Sequence, residues 1–174
     1  IPLKLFVARS NEWPVDQESG GKDVGALFDR FLFRKTVKPI GSDRGIDKLL
    51  WTQINPTLST SLSEQELSEA TSEAATLPFG EDAKDAVRKI LKEAKAEGIQ
   101  PGDRRLRKSV KAAQAFAWLN GEAEVSPESL EVLSHVLWDD PAEQPKKIAE
   151  IVGKVANPSG MKINSLLSEA AQIT

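Results

Sequence analysis

The stretch Gly102–Trp138 constrains the fold more than any other, because it spells a helix, a stop and a second helix start in quick succession. It opens Gly102-Asp103-Arg104-Arg105-Leu106-Arg107-Lys108, with five cations between Arg104 and Lys111. Apolar residues recur at Leu106, Val110, Ala113 and Ala117, the spacing of one helix face. Gly121 stops that helix, and Ser126-Pro127-Glu128 starts the next with an N-cap, a proline at the first position and a first-turn acid. The arginines are oddly placed. A helix N-terminus carries about half a positive charge, so each exposed cation there is disfavoured by roughly 0.3–1 kcal/mol. An anion shared between the arginines and the helix start would remove the conflict, and phosphate is the obvious one.

The sequence on either side is punctuated in the same way. Ile46, Leu49, Leu50 and Ile54 give a short helix ended by Pro56. Ser63-Glu64-Gln65-Glu66 is a capping box, staple-flanked by Leu62 and Leu67, and its helix stops before Pro78. Glu81-Asp82 heads a helix with Ala83, Val87, Ile90, Leu91 and Ala94 inward, ended by Gly98. Helices follow over 103–119, 127–138 and about 142–156, the last with Ile148, Ile151, Val152 and Val155. Asn157-Pro158-Ser159-Gly160 breaks the chain before a short amphipathic segment from Met161 to Ile173.

The first 40 or so residues read differently. Leu3, Leu5 and Val7 alternate with Phe6 and Ala8, so residues 1–9 form a strand apolar on both faces, as inside a sheet. Val24–Arg30 has short helical character, and Phe31–Val37 reads as a second strand closing at Pro39. Two strands alone make a poor sheet, so more sheet is expected before Ile1, and the sequence reads as the C-terminal portion of a larger protein.

Composition narrows the function classes. Apolar content of 40% and charge content of 28% suit a globular chain, and a net charge of −3 leaves the basic helix a local feature. With no cysteine there can be no disulfide, thiolate zinc site or cysteine nucleophile; a reducing, cytoplasmic setting fits. No run reaches membrane-spanning length. His135 is the only histidine, and its place on an apolar helix reads as packing or half-exposure. Gly21-Lys22-Asp23 and Gly153-Lys154-Val155 lack the earlier glycine and the Ser/Thr of a P-loop. Val136-Leu137-Trp138-Asp139-Asp140 could pass for a strand ending in magnesium-binding acids, but it continues the helical pattern of Leu130 and Val132 and reads as a helix end. The chain alone shows no machinery for hydrolysis.

Three spots taken in order carry a resemblance. They are Ile1-Pro2-Leu3-Lys4-Leu5-Phe6-Val7-Ala8-Arg9-Ser10-Asn11-Glu12, then Ala26-Leu27-Phe28-Asp29-Arg30-Phe31-Leu32-Phe33-Arg34, then Gly102-Asp103-Arg104-Arg105 with Gly121 and Val125-Ser126-Pro127 behind it. Together with Ala75-Thr76-Leu77-Pro78, Ala112-Ala113-Gln114-Ala115 and Val136-Leu137-Trp138-Asp139, they resemble the second half of a AAA+ ATPase of the MoxR family, most closely its RavA branch. The likeness covers most of residues 1–150.

The resemblance implies a mainly α chain: a fragment of an αβα AAA+ core over residues 1–41, with two strands and one short helix, then an all-α helical lid over 42–156 and a helical extension over 157–174. It implies that Asn11 is the sensor 1 residue that positions the attacking water, and that Arg30 is the arginine finger reaching a neighbouring subunit. Arg104 matches the sensor 2 position, at the family's spacing from the glycine Gly121, although Gly102-Asp103 replaces the usual Ser-Pro. The complete protein would bind ATP and Mg²⁺, pair this part with its own N-terminal AAA+ core, form a ring (a hexamer is expected), and remodel or mature client proteins, with a von Willebrand factor A domain protein as a possible partner. No nucleotide is expected on this chain alone.

Plainer readings stand beside each residue. Asn11 could cap the turn after the strand, and Arg30 could form a surface ion pair with Asp29 or another acid. Arg34 is a competing finger position. Arg105, Arg107 and Lys108 read as a solvated face. The alternative for the whole chain is a free-standing helical module whose Arg104–Lys111 stripe binds nucleic acid or an acidic protein.

Overall fold

A computed structural model describes residues 7–9, 30–52, 59–163 and 166. Asn11, residues 1–6 of the strand expected over 1–9, and all but Arg30 of the short helix expected over Val24–Arg30 lie outside the described residues. What is described is mainly helical, as expected.

The punctuation signals do what their chemistry requires. Ser42 caps α1 (Asp43–Trp51), its hydroxyl accepting from the Gly45 amide at 3.2 Å. At α2 (Glu64–Thr76) the capping box is complete: the Glu66 amide reaches Ser63 Oγ at 3.1 Å, and the Ser63 amide reaches Glu66 Oε2 at 2.7 Å. Two of the helix start's orphan donors are thereby satisfied. α3 (Glu81–Ala96) buries Ala83, Ala86, Ile90 and Ala94 along one stripe, with Val87 and Leu91 partly buried beside it. α4 (Asp103–Leu119) and α5 (Gln144–Ala156) close the core, α5 contributing Ile148, Ile151, Val152 and Ala156.

Both long helices end in the same motif. After α3, Gly98 adopts φ 76°, its amide reaches the Lys95 carbonyl, and the Ile99 amide reaches Ala94. After α4, Gly121 adopts φ 73°, with Gly121 reaching Trp118 and Glu122 reaching Ala117. These paired bonds satisfy the last carbonyls, and the left-handed residue between them favours glycine.

The link between α2 and α3 meets the link after α4 in one parallel bridge, Phe79 to Val125. There the Val125 amide reaches Pro78 at 2.8 Å and the Gly80 amide reaches Val125 at 3.2 Å. Gln114 Nε2 on α4 donates to the carbonyls of Ala75 and Leu77, and Trp118 Nε1 donates to Glu73 Oε2, which docks α2 on α4.

Two expectations change. The helix expected over 127–138 is a 3₁₀ helix over Glu128–His135. Its start is still set by Ser126, whose Oγ accepts from the Ser129 amide at 3.3 Å. The fully buried Ser129 in turn donates to Glu122 Oε1 at 2.7 Å. Burial alone would raise the Glu122 carboxyl, but the bonds from Ser129, Ser126 and Asn120 outweigh it and hold it below the ordinary glutamate value. Tight turns here let Leu130, Leu133, Val136, Leu137 and Trp138 all be buried, more apolar positions than one α-helical face would supply.

Phe31–Val37, expected as a strand, is irregular. A strand needs a ladder partner, and this segment meets the end of the 3₁₀ helix, where the Arg34 amide donates to the His135 carbonyl at 3.0 Å. Arg34 is buried and Leu32 packs against the core, while Phe33 and Val37 are exposed. The fragment of αβα core with two strands is therefore not borne out at its second strand.

Candidate functional site at the start of α4

The sequence places two arginines side by side at the start of α4, and the fold gives them opposite environments. Arg104 is exposed. Arg105 is 2% exposed, so one residue of rotation separates a cation in water from a cation in the core. The helix start has no side-chain cap, since Gly102 occupies the N-cap and offers none. Its inward stripe is Arg105, Ser109, Ala112, Ala113 and Ala117. Val110, expected inward, is 44% exposed.

Arg105 therefore leaves the solvated face to which the sequence assigned it. Its Nη1 donates to the Val136 carbonyl at 3.1 Å, and its Nη2 lies 3.4 Å from Asp139 Oδ1. Arg34 arrives at the same acid from the other side. Its Nη1 donates to the Trp138 carbonyl at 2.7 Å and to Asp139 Oδ1 at 2.5 Å. A helix C-terminus has carbonyls without intrahelical partners and a partial negative charge, so cations suit it. The two arginines thus serve the buried end of the 3₁₀ helix, with half-exposed Asp139 balancing part of their charge.

This pairing bears on two readings. Arg34, the competing finger position, is buried and engaged within the chain. Asp139 serves two cations, which leaves it poorly suited to hold magnesium. Among the described residues no group of three or more His, Asp or Glu could hold a metal ion. His135 is exposed and lines a cleft of about 370 Å³ with Phe116, Val132, Val152 and Met161. Arg30 sits in a turn and is exposed. The exposed cations remaining on α4, with half-buried Lys108, are Arg104, Arg107 and Lys111, three- and four-residue neighbours along one face.

Arg105 and Arg34 are the residues that sequence reasoning missed. A signal for Arg105 exists: it shares its helix face with Ser109, Ala112, Phe116 and the small residues between, and small residues mark close packing. Nothing local marks Arg34.

The helical region has a counterpart among known domains. Residues 84–152, from α3 through most of α5, match the family of the AAA lid domain. The chain is also similar to two proteins of Methanocaldococcus jannaschii, both named only as uncharacterized. It is 34% identical to protein MJ0812 over 157 residues, 90% of this chain and 40% of that protein. It is 36% identical to protein MJ0079 over 140 residues, 80% of this chain and 35% of that protein. The chain thus spans well under half the length of these relatives. No helix among the described residues is long and apolar enough to cross a membrane.

Proposed function

We propose that this chain is the sensing lid of a MoxR-type AAA+ ATPase of the RavA branch, and that Arg104 is its phosphate-sensing arginine. The observation that carries the reading is the split between the two arginines of one lid helix turn. Arg105 is spent on the buried end of the 3₁₀ helix, which leaves Arg104 exposed at an uncapped helix N-terminus. Cation and helix dipole repel there, and a nucleotide phosphate between them offsets that repulsion. Arg30, exposed in its turn, is proposed as the finger delivered to a neighbouring subunit, and Asn11 as the water-positioning residue. In the complete protein ATP and Mg²⁺ would be held mainly by an N-terminal core, in a ring whose turnover remodels client proteins. A von Willebrand factor A domain partner belongs to the same proposal.

The test is ATP turnover by the complete protein carrying Arg104→Ala. Removing one charged donor from a developing phosphate charge lowers kcat by about 10²-fold or more. Unchanged turnover would overturn the role of Arg104.

One observation favours a second reading. With Arg105 turned inward, Arg104, Arg107, Lys108 and Lys111 share one side of α4, a tidier basic stripe than the sequence promised. Binding of DNA or RNA that weakens steeply with salt, and is lost in an Arg104→Ala, Arg107→Ala double variant, would favour a nucleic-acid module instead.

A further inference from the structure

Arg30, the proposed finger, and Arg104, the proposed sensor, are far apart in sequence, yet the segments that carry them are held to the same few atoms. Arg34 lies four residues after Arg30. An extended chain covers at most about 3.3–3.6 Å per residue, so fixing Arg34 keeps the Arg30 backbone within about 14 Å of it. Arg34 is fixed three times over: its amide to the His135 carbonyl, and its guanidinium to the Trp138 carbonyl and the Asp139 carboxylate. Leu32, between the two arginines, packs against the core. On the other side Arg105, covalently next to Arg104, holds the Val136 carbonyl and the same Asp139 oxygen.

We infer that Arg34, Asp139 and Arg105 form a positioning clamp that makes the segment bearing Arg30 move as one body with the helix turn bearing Arg104. The inference rests on the proposed lid function. In that setting, a shift of the lid when Arg104 meets or loses the phosphates is carried through Asp139 to Arg34, and from there to the exposed Arg30 facing the next subunit. Arg34 and Arg105 act through their neighbours and touch no nucleotide. The geometry suits transmission better than a lone cap would. Three carbonyls could be satisfied by water at an ordinary helix end, whereas here the donors come from two segments about seventy residues apart in sequence and converge on one carboxylate. Both guanidiniums are almost fully buried, 2% exposed for Arg34 and 1% for Arg105, so water competes little for their partners.

Two measurements test it. In the 174-residue chain, hydrogen exchange at the Arg34 amide should be slow, and Asp139→Asn should speed it at least about tenfold, the amide opening when the clamp loosens. A freely exchanging Arg34 amide in the unaltered chain overturns the clamp. In the complete protein, Arg34→Met and Asp139→Asn should each lower kcat by roughly 10²-fold, the cost of misplacing a catalytic group by about 1 Å, with affinity for a fluorescent ATP analogue unchanged. A merely structural role would lower the melting temperature and leave kcat below the transition unchanged, which overturns the inference while Arg30→Ala and Arg104→Ala variants still lose turnover. If those two variants also turn over normally, the proposed function fails, and the clamp's role in it fails with it.

Discussion

At the scale of single residues, the fold discriminates between neighbours that look alike. Asp139 faces two buried guanidiniums, so replacing it by alanine leaves like charges facing one another in a dry site. Breaking a fully buried pair costs about 3–5 kcal/mol, and because Asp139 itself is 53% exposed, about 2–3 kcal/mol is expected for Asp139→Ala in urea unfolding. Arg107→Ala, on the exposed face of the same helix, should stay within about 0.5 kcal/mol. Glu122 makes a pH prediction. Its carboxyl is held below the ordinary value in the folded state, so its contribution is fully present above the unfolded value, about 4.3, and is lost as pH falls through the lower folded value. Ser129→Ala removes the leading bond. Acid unfolding of that variant should therefore show a shallower loss of stability below about pH 4.5 than the unaltered chain.

At the scale of elements, the helices were legible because each carries its own start and stop chemistry. The complete capping box at Ser63–Glu66 and the left-handed glycines at 98 and 121 are local devices, readable without knowing the fold. Gly121→Ala should cost about 1–2 kcal/mol, the strain of a left-handed L-residue, and thermal unfolding measures it. Ile90→Ala, in the stripe of α3, should cost about 2–5 kcal/mol. What was not legible depended on partners distant in sequence. Phe31–Val37 has the alternation and β-rich composition of a strand, but strand identity needs a neighbouring ladder, and its neighbour here is a helix end. The 3₁₀ winding of Glu128–His135 comes from the need to bury apolar residues on several sides at once, which a single-face pattern does not encode. On α4 Ala113 and Ala117 face inward as read and Leu106 packs beside them, but Val110 is exposed and Arg105 takes an inward place, a swap hidden because Val110 outranks an arginine in any apolar count. The Val136 carbonyl and the Asp139 carboxylate, both distant in sequence, hold Arg105 inward.

At the scale of the whole molecule, the helical part is a platform that, on the proposed reading, relies on other parts of a larger protein for chemistry. It presents one exposed arginine at an uncapped helix start and a second, Arg30, on a segment pinned to the helical core. Because no P-loop is present in these 174 residues, the chain alone should show no ATP turnover and no binding by calorimetry; measurable hydrolysis by it would require a different nucleotide site. The most direct test of the central claim compares two arginines three residues apart on α4 in the complete protein. Steady-state ATP turnover should fall by about 10²-fold or more in Arg104→Ala and stay within about twofold of the unaltered protein in Arg107→Ala. Equal losses in both, or none in either, would contradict it.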